Sequence, residues 1–193
     1  MGLAILILGL ALLLGGHTFV TFRMEHDALV ARLGRGTYRA LFGFVGLIGL
    51  VLIVWGFGLY RSTGWLDVWY PPGWTRHVTV ALMWPAMILI VAAYSRGRIY
   101  AKLKHPFLAG VKLWAAAHLL ANGDLGSIIL FGSVLAWAVY DRISLKRRGD
   151  PGAPNIPTGG TRNDVIAIVA GTLLYLALGL LHPYMIGVPA FSR

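Results

Sequence analysis

The chain has 193 residues, of which 58% are apolar and only 12% charged, whereas soluble domains run at about half apolar and a quarter charged. That balance excludes water as the main solvent, and the absence of cysteine excludes disulfides, iron–sulfur clusters, thiolate haem ligation and cysteine nucleophiles. The net charge of +10 does not read as nucleic-acid binding, because the basic residues are strung between apolar runs and no water-facing domain carries a basic patch.

Apolar windows at 3–22, 41–60, 78–95, 107–121, 125–141 and 165–187 predict an all-α, polytopic transmembrane bundle of about six spans, forming a single membrane domain over 1–193. Each window lies near the roughly 20 residues that cross a hydrocarbon core, although the fourth is short. Residues 3–14 have the apolar character of a signal-peptide core. No positive segment precedes them, and Gly15-Gly16-His17 continues into Thr18-Phe19-Val20, so the first span is expected to be retained.

The loop after the first span holds Arg23, Arg32, Arg35 and Arg39, and the loop after the third holds Arg96, Arg98, Lys102 and Lys104, with Lys112 just inside the fourth window. The loop after the fifth adds Arg142, Lys146, Arg147, Arg148 and Arg162, leaving only Arg61, Arg76 and Arg193 opposite. Fourteen positive residues against three predict that these three loops are cytoplasmic and both termini outside.

Trp65, Trp69, Tyr70, Trp74 and the Pro71-Pro72-Gly73 turn crowd the second loop, which is expected at the outer interface, where amphipathic rings are favoured. The short Asn122-Gly123-Asp124 connection predicts a tight antiparallel pair of helices, with Gly123 in a left-handed cap and Asp124 as an N-cap. Gly149 to Asn163 is rich in Pro, Gly, Thr and Asn and reads as a flexible cytoplasmic loop, 149–163. The Gly43, Gly46, Gly49 series reads as close helix packing.

Every carboxylate falls in a loop or at a span end, so paired-acid and serine-triad chemistry find no support, and no catalytic side chain is assigned. The histidines differ: His17, His118 and His182 sit in apolar windows, His77 and His105 at window edges, and His26 in a cytoplasmic loop. A polar ring in hydrocarbon is costly unless partnered, which makes an intramembrane histidine a functional candidate. Trp114, His118 and Asn122 follow at i, i+4 and i+8 on one helical stripe, an arrangement that orients a ligand or supports an interhelical hydrogen bond. His182, followed by Pro183, fits interfacial anchoring, and His17 has Gly15, Gly16 and Thr21 near it. A helical bundle with two inward histidines and a basic rim meets the physical requirements of haem b, a flat apolar macrocycle with two anionic propionates. Arg23, Arg39, Arg98 and Lys102 lie where they can pair such propionates, although topology signalling and headgroup contact are the favoured account of each one.

Gly16-His17, Arg32-Leu33-Gly34 through Tyr38-Arg39-Ala40-Leu41-Phe42, and above all His105-Pro106, Gly110, Trp114, His118-Leu119-Leu120 and Asn122-Gly123-Asp124 resemble the NnrU family over nearly the whole chain. That family unites bacterial proteins associated with denitrification with the plant zeta-carotene isomerase, an integral membrane enzyme that uses haem b. The resemblance implies a multi-pass protein of the bacterial inner (cytoplasmic) membrane. It also implies haem b with His17 and His118 as axial ligands of the iron, and His105, Trp114 and Asn122 around them. The implied role is in nitrogen-oxide metabolism, beside nitrogen-oxide reductase components, or as a haem-dependent cis-trans isomerase of an apolar polyene. A cysteine implicated in the plant branch has no counterpart here, so a ligand switch to thiolate does not carry over. Counting about 1.5 Å per residue from the span centres puts His17 on the cytoplasmic side of the midplane and His118 on the outer side. A tilted haem reconciles the two depths, and the depth-matched alternatives are His17 with His105 and His118 with His182.

Two other readings stand beside this one. His105-Pro106 followed by Gly110 resembles the Arg-His-Pro-x-x-x-Gly stretch of S-adenosylmethionine-dependent membrane methyltransferases, but Lys104 replaces the arginine and no glutamate occurs after Glu25 to supply their distal Glu-Glu motif. The third reading is a non-catalytic assembly or regulatory factor for a nitrogen-oxide reductase.

Overall fold

Eight helices follow one another along the chain in the computed structural model, which describes residues 1–150, 152 and 159–191. They are α1 (Gly2–Phe19), α2 (Arg23–Leu33), α3 (Arg35–Thr63), α4 (Trp74–Ser95), α5 (Arg98–Leu103), α6 (Pro106–Ala121), α7 (Leu125–Arg147) and α8 (Thr161–Ile186). α1, α3, α4, α7 and α8 are long and apolar enough to cross a bilayer, with α6 as a shorter apolar sixth, so the six expected spans are all present as helices. At 16 residues, α6 extends about 24 Å, short of the roughly 30 Å hydrocarbon core. α2 was not expected from the apolar pattern. It buries no residue and carries Arg23, Glu25, Asp27 and Arg32, so its period is masked by charge. Gly34 joins it to α3 at φ +79° and ψ 150°, a region open essentially to glycine alone.

The chain forms two compact units. The first comprises Met1–Tyr70 and Asn122–Ser144, the second Pro71–Ala121 and Leu145–Arg193.

In the first unit α1 packs against α3 through glycine on both sides. A Cβ on Gly9 would lie 2.7 Å from the Gly49 carbonyl oxygen, and one on Gly56 would lie 2.4 Å from the Leu6 nitrogen. Gly2 meets the Tyr60 backbone in the same way. Lipid removes the hydrophobic drive between helices, so this close backbone approach and its dispersion contacts supply the association. Of the expected glycine series only Gly49 lies in this contact; Gly46 barely touches Leu13 and Gly43 meets nothing within 4 Å. Leu6, Leu10 and Ile53 form the buried core, joined by Ile129, Leu130 and Val134 of α7.

Tyr60 closes the end of this unit at which α3 leads into the aromatic loop. Its hydroxyl accepts from the Leu66 amide at 3.0 Å, and its ring occupies the space a Cβ on Gly126 would need. Trp65 stacks on it at 6.0 Å, and Trp65, Trp69 and Tyr70 stay exposed. The Gly123 carbonyl accepts from Val68 at 2.8 Å and Trp69 at 3.1 Å, and the Leu125 amide donates to Leu66 at 2.9 Å. These bonds hold the turn, so Gly123 does not adopt the expected left-handed conformation. Asp124 is the N-cap as expected: it is 1% exposed and its carboxylate accepts from the Ser127 amide at 2.9 Å. The helices flanking this turn fall in different units, α6 in the second and α7 in the first. α7 has α1 and α3 as neighbours, and α6 has α4.

In the second unit α4 is central, packing on α6 and α8. Gly110 lets α6 approach the Ala86 carbonyl, where a Cβ would lie at 2.8 Å, and Gly171 lets α8 approach the Ile88 backbone, where it would lie at 2.6 Å. The Thr79 hydroxyl donates to the Ala117 carbonyl at 2.7 Å, and the Trp84 indole donates to Thr172 at 2.9 Å. Much of the loop expected over 149–163 lies outside the described residues, and its end, Thr161–Asn163, is the first turn of α8.

Candidate functional site

His17 stands in the last turn of α1, and its Nδ1 lies 2.8 Å from the Leu13 carbonyl oxygen. A carbonyl only accepts, so Nδ1 donates its proton and the ring's lone pair sits on Nε2. Two other helices wall this ring. Phe42 of α3 lies 5.1 Å away between centroids, and Trp137 of α7 meets it edge-on at 5.5 Å. Tyr38 stacks on Phe42 at 6.0 Å, and His26 of α2 packs edge-on against Tyr38 at 5.1 Å while pairing with Asp27 at 2.7 Å. Phe42 passes Gly16 at ordinary contact distance, its ring 3.7 Å from where a Cβ would lie. Thr21 turns away to Thr18 and Tyr140.

Two polar atoms in this aromatic box, the Trp137 indole nitrogen and the Tyr38 hydroxyl, are buried without a hydrogen-bond partner among the described residues. A buried unsatisfied donor costs about 1–3 kcal/mol, so both are suited to an acceptor brought by a ligand. Tyr38 and Phe42 belong to a stretch that carries the family resemblance, but nothing in the sequence places them beside His17, and Trp137 is a lone ring in an apolar window.

His118 occupies the equivalent place in the second unit, in the last turn of α6, with Nδ1 2.8 Å from the Trp114 carbonyl oxygen. Its lone pair likewise sits on Nε2. The Trp114 ring packs on it at 5.1 Å, so this part of the expected stripe is formed, and Asn122 follows just beyond the helix end. His182 of α8 lies in the same unit, and its Nδ1 contacts the Val188 carbonyl, in keeping with an anchoring role. His105 precedes Pro106 at the start of α6, and its Nε2 lies 3.3 Å from the Asp150 carbonyl oxygen and 4.0 Å from its carboxylate. That places His105 in a polar junction with the loop after α7. Gly110, which prompted the methyltransferase comparison, is accounted for by packing on α4.

His17 belongs to the first unit and His118 to the second. Arg23, Arg39, Arg98 and Lys102 are exposed. Among the described residues no three metal-liganding side chains cluster. An imidazole whose Nδ1 is committed to the backbone can offer its Nε2 to a metal.

Compared with known protein families, the chain matches the model described as NnrU protein over residues 5–190, and it therefore belongs to the NnrU family. No curated protein and no solved structure is matched.

Proposed function

We propose that this NnrU-family membrane protein binds haem b, with Nε2 of His17 and Nε2 of His118 as the axial ligands of the iron. The observation that carries the reading is the matched backbone bond: each ring donates Nδ1–H to the carbonyl four residues earlier, at 2.8 Å in both cases. Ligating histidines characteristically donate their second nitrogen in this way, which fixes the tautomer and makes the other nitrogen more basic. Trp114 packs on the His118 ring and Phe42 and Trp137 on the His17 ring, restraining each imidazole about its own axis.

Bound haem b would supply a redox-active iron in a low-dielectric setting. The work in nitrogen-oxide metabolism, or the isomerisation of an apolar polyene, is drawn from the family resemblance, as is residence in the bacterial inner membrane. Protein expressed with haem supplementation and purified in detergent is expected to show a Soret band and the reduced spectrum of a bis-histidine haem. His17→Ala and His118→Ala should each abolish that spectrum, while His105→Ala and His182→Ala should retain it. Wild-type protein without a Soret band would end the haem reading, and loss of haem only in the His105 or His182 variants would reassign the ligands.

A further inference from the structure

Arg96 caps α4 in the left-handed conformation, at φ 57° and ψ 51°. For a non-glycine residue this costs about 1–2 kcal/mol, and nothing in the backbone calls for a side chain there. The neighbouring chain pins it in place. Its amide donates to Ala92 at 3.1 Å and its carbonyl accepts from Gly159 at 2.8 Å. The Ser95 carbonyl accepts from the Asn163 side chain at 2.6 Å. Gly97 is pressed onto Asp164 so closely that a Cβ would lie 2.1 Å from its carboxylate oxygen. Glycine would meet the backbone requirement of position 96 more cheaply, so the reason for an arginine lies in its guanidinium.

That guanidinium is held over the Tyr100 ring, 5.6 Å from its centroid, and Tyr100 is itself buried. Nη1 of Arg96 is buried with no acceptor among the described residues, and so is the hydroxyl of the adjacent Ser95. Asp164, the carboxylate built into this junction, is engaged by the Ile99 amide at 3.0 Å, and no ion pair to Arg96 forms among the described residues. Exposed Arg98, Lys102 and Lys104 follow on and after α5, at the membrane face that the charge distribution makes cytoplasmic. A buried guanidinium nitrogen without an acceptor is costly, and the acceptor that matches its planar donors best is an oxyanion.

We propose that Arg96, with Ser95 beside it, binds a phosphate oxyanion at the cytoplasmic end of α4, carried either by an anionic lipid headgroup or by free phosphate. This inference is independent of the haem reading. The test follows the thermal midpoint of the purified protein in an uncharged detergent while short-chain phosphatidylglycerol, inorganic phosphate or chloride at matched ionic strength is added. A saturable rise is expected with a phosphate-bearing probe and not with chloride. Response to the lipid alone identifies a headgroup site, response to inorganic phosphate alone a free-anion site, and response to both a site that reads the phosphate itself. Arg96→Gly should keep or raise the unliganded midpoint, because glycine is at ease at this φ, yet bind the probe at least about tenfold more weakly, as expected for the loss of a charge-assisted hydrogen bond. Arg96→Asn, which also tolerates this backbone, provides a second folded variant with the same expectation. No saturable rise with either probe, or an equal rise in both variants, overturns the proposal.

Discussion

Replacing Gly56 by alanine tests whether α1 and α3 are held by backbone contact. The new Cβ would lie 2.4 Å from the Leu6 nitrogen and 2.9 Å from both the Ile5 carbonyl carbon and the Leu6 Cα. All three atoms are main chain, so no rotamer change makes room. Restoring ordinary contact at about 3.5 Å requires the helices to separate by about 1 Å, which forfeits a quarter to a half of each dispersion well along the seam. The seam includes the Gly2–Tyr60 and Gly9–Gly49 approaches and the buried Leu6, Leu10 and Ile53. Overpacking of this kind costs about 1–3 kcal/mol, and the upper end applies because the obstruction is backbone. Alanine returns up to about 1 kcal/mol of helix propensity, leaving a net loss of about 2 kcal/mol. Gly58→Ala, two residues along the same helix, meets nothing within 4 Å and keeps only the gain, so the two variants should differ by about 3 kcal/mol. Reversible unfolding by dodecyl sulfate in mixed micelles, read by tryptophan fluorescence, measures the difference. Equal stability of the two variants would refute the packing argument.

Asp124→Ala removes the buried cap of α7 and should cost about 1–2 kcal/mol in the same assay, whereas Asp124→Asn, an equally good cap, should cost far less. Trp137→Phe removes a buried N–H that has no acceptor, so the haem-free protein should be as stable as wild type or slightly more so, by up to about 1 kcal/mol; a clear loss of stability would show that the indole nitrogen is satisfied within the protein. The natural chain has no cysteine, so single-cysteine labelling reads topology without background. Ser62→Cys should react with a membrane-impermeant maleimide in intact spheroplasts and Lys102→Cys only after lysis, and the reverse pattern would invert the assignment of the termini.

The spans were legible because hydrocarbon demands long uninterrupted apolar runs, and those runs coincide with the helices. The Asp124 cap and the Trp114–His118 stripe were legible because their partners lie three and four residues away. Interactions whose partner is distant in sequence were not. Gly2, Gly9 and Gly56 pack on backbone that only the folded unit brings near them. Gly123 was expected to turn by its own conformational freedom, but bonds from Val68 and Trp69 hold it instead. α2 escaped because its charges hide any apolar period. Of the candidate site, His17 and His118 were singled out by the cost of an imidazole in lipid together with the family resemblance. The aromatic wall of Phe42, Tyr38 and Trp137 gave no such sign, since aromatic side chains are ordinary in apolar windows.

The first unit is discontinuous in sequence: α7 completes the core begun by α1 and α3, with about fifty residues of the second unit made in between. During synthesis the ribosome must therefore deliver α4, α5 and α6 to the translocon before Ile129, Leu130 and Val134 reach the leucines waiting on α1. Until then the seam of α1 and α3 presents an uncovered flank. Truncation after α6 would strand that half-built core, so the chain cannot be divided at its midpoint into separately expressible halves.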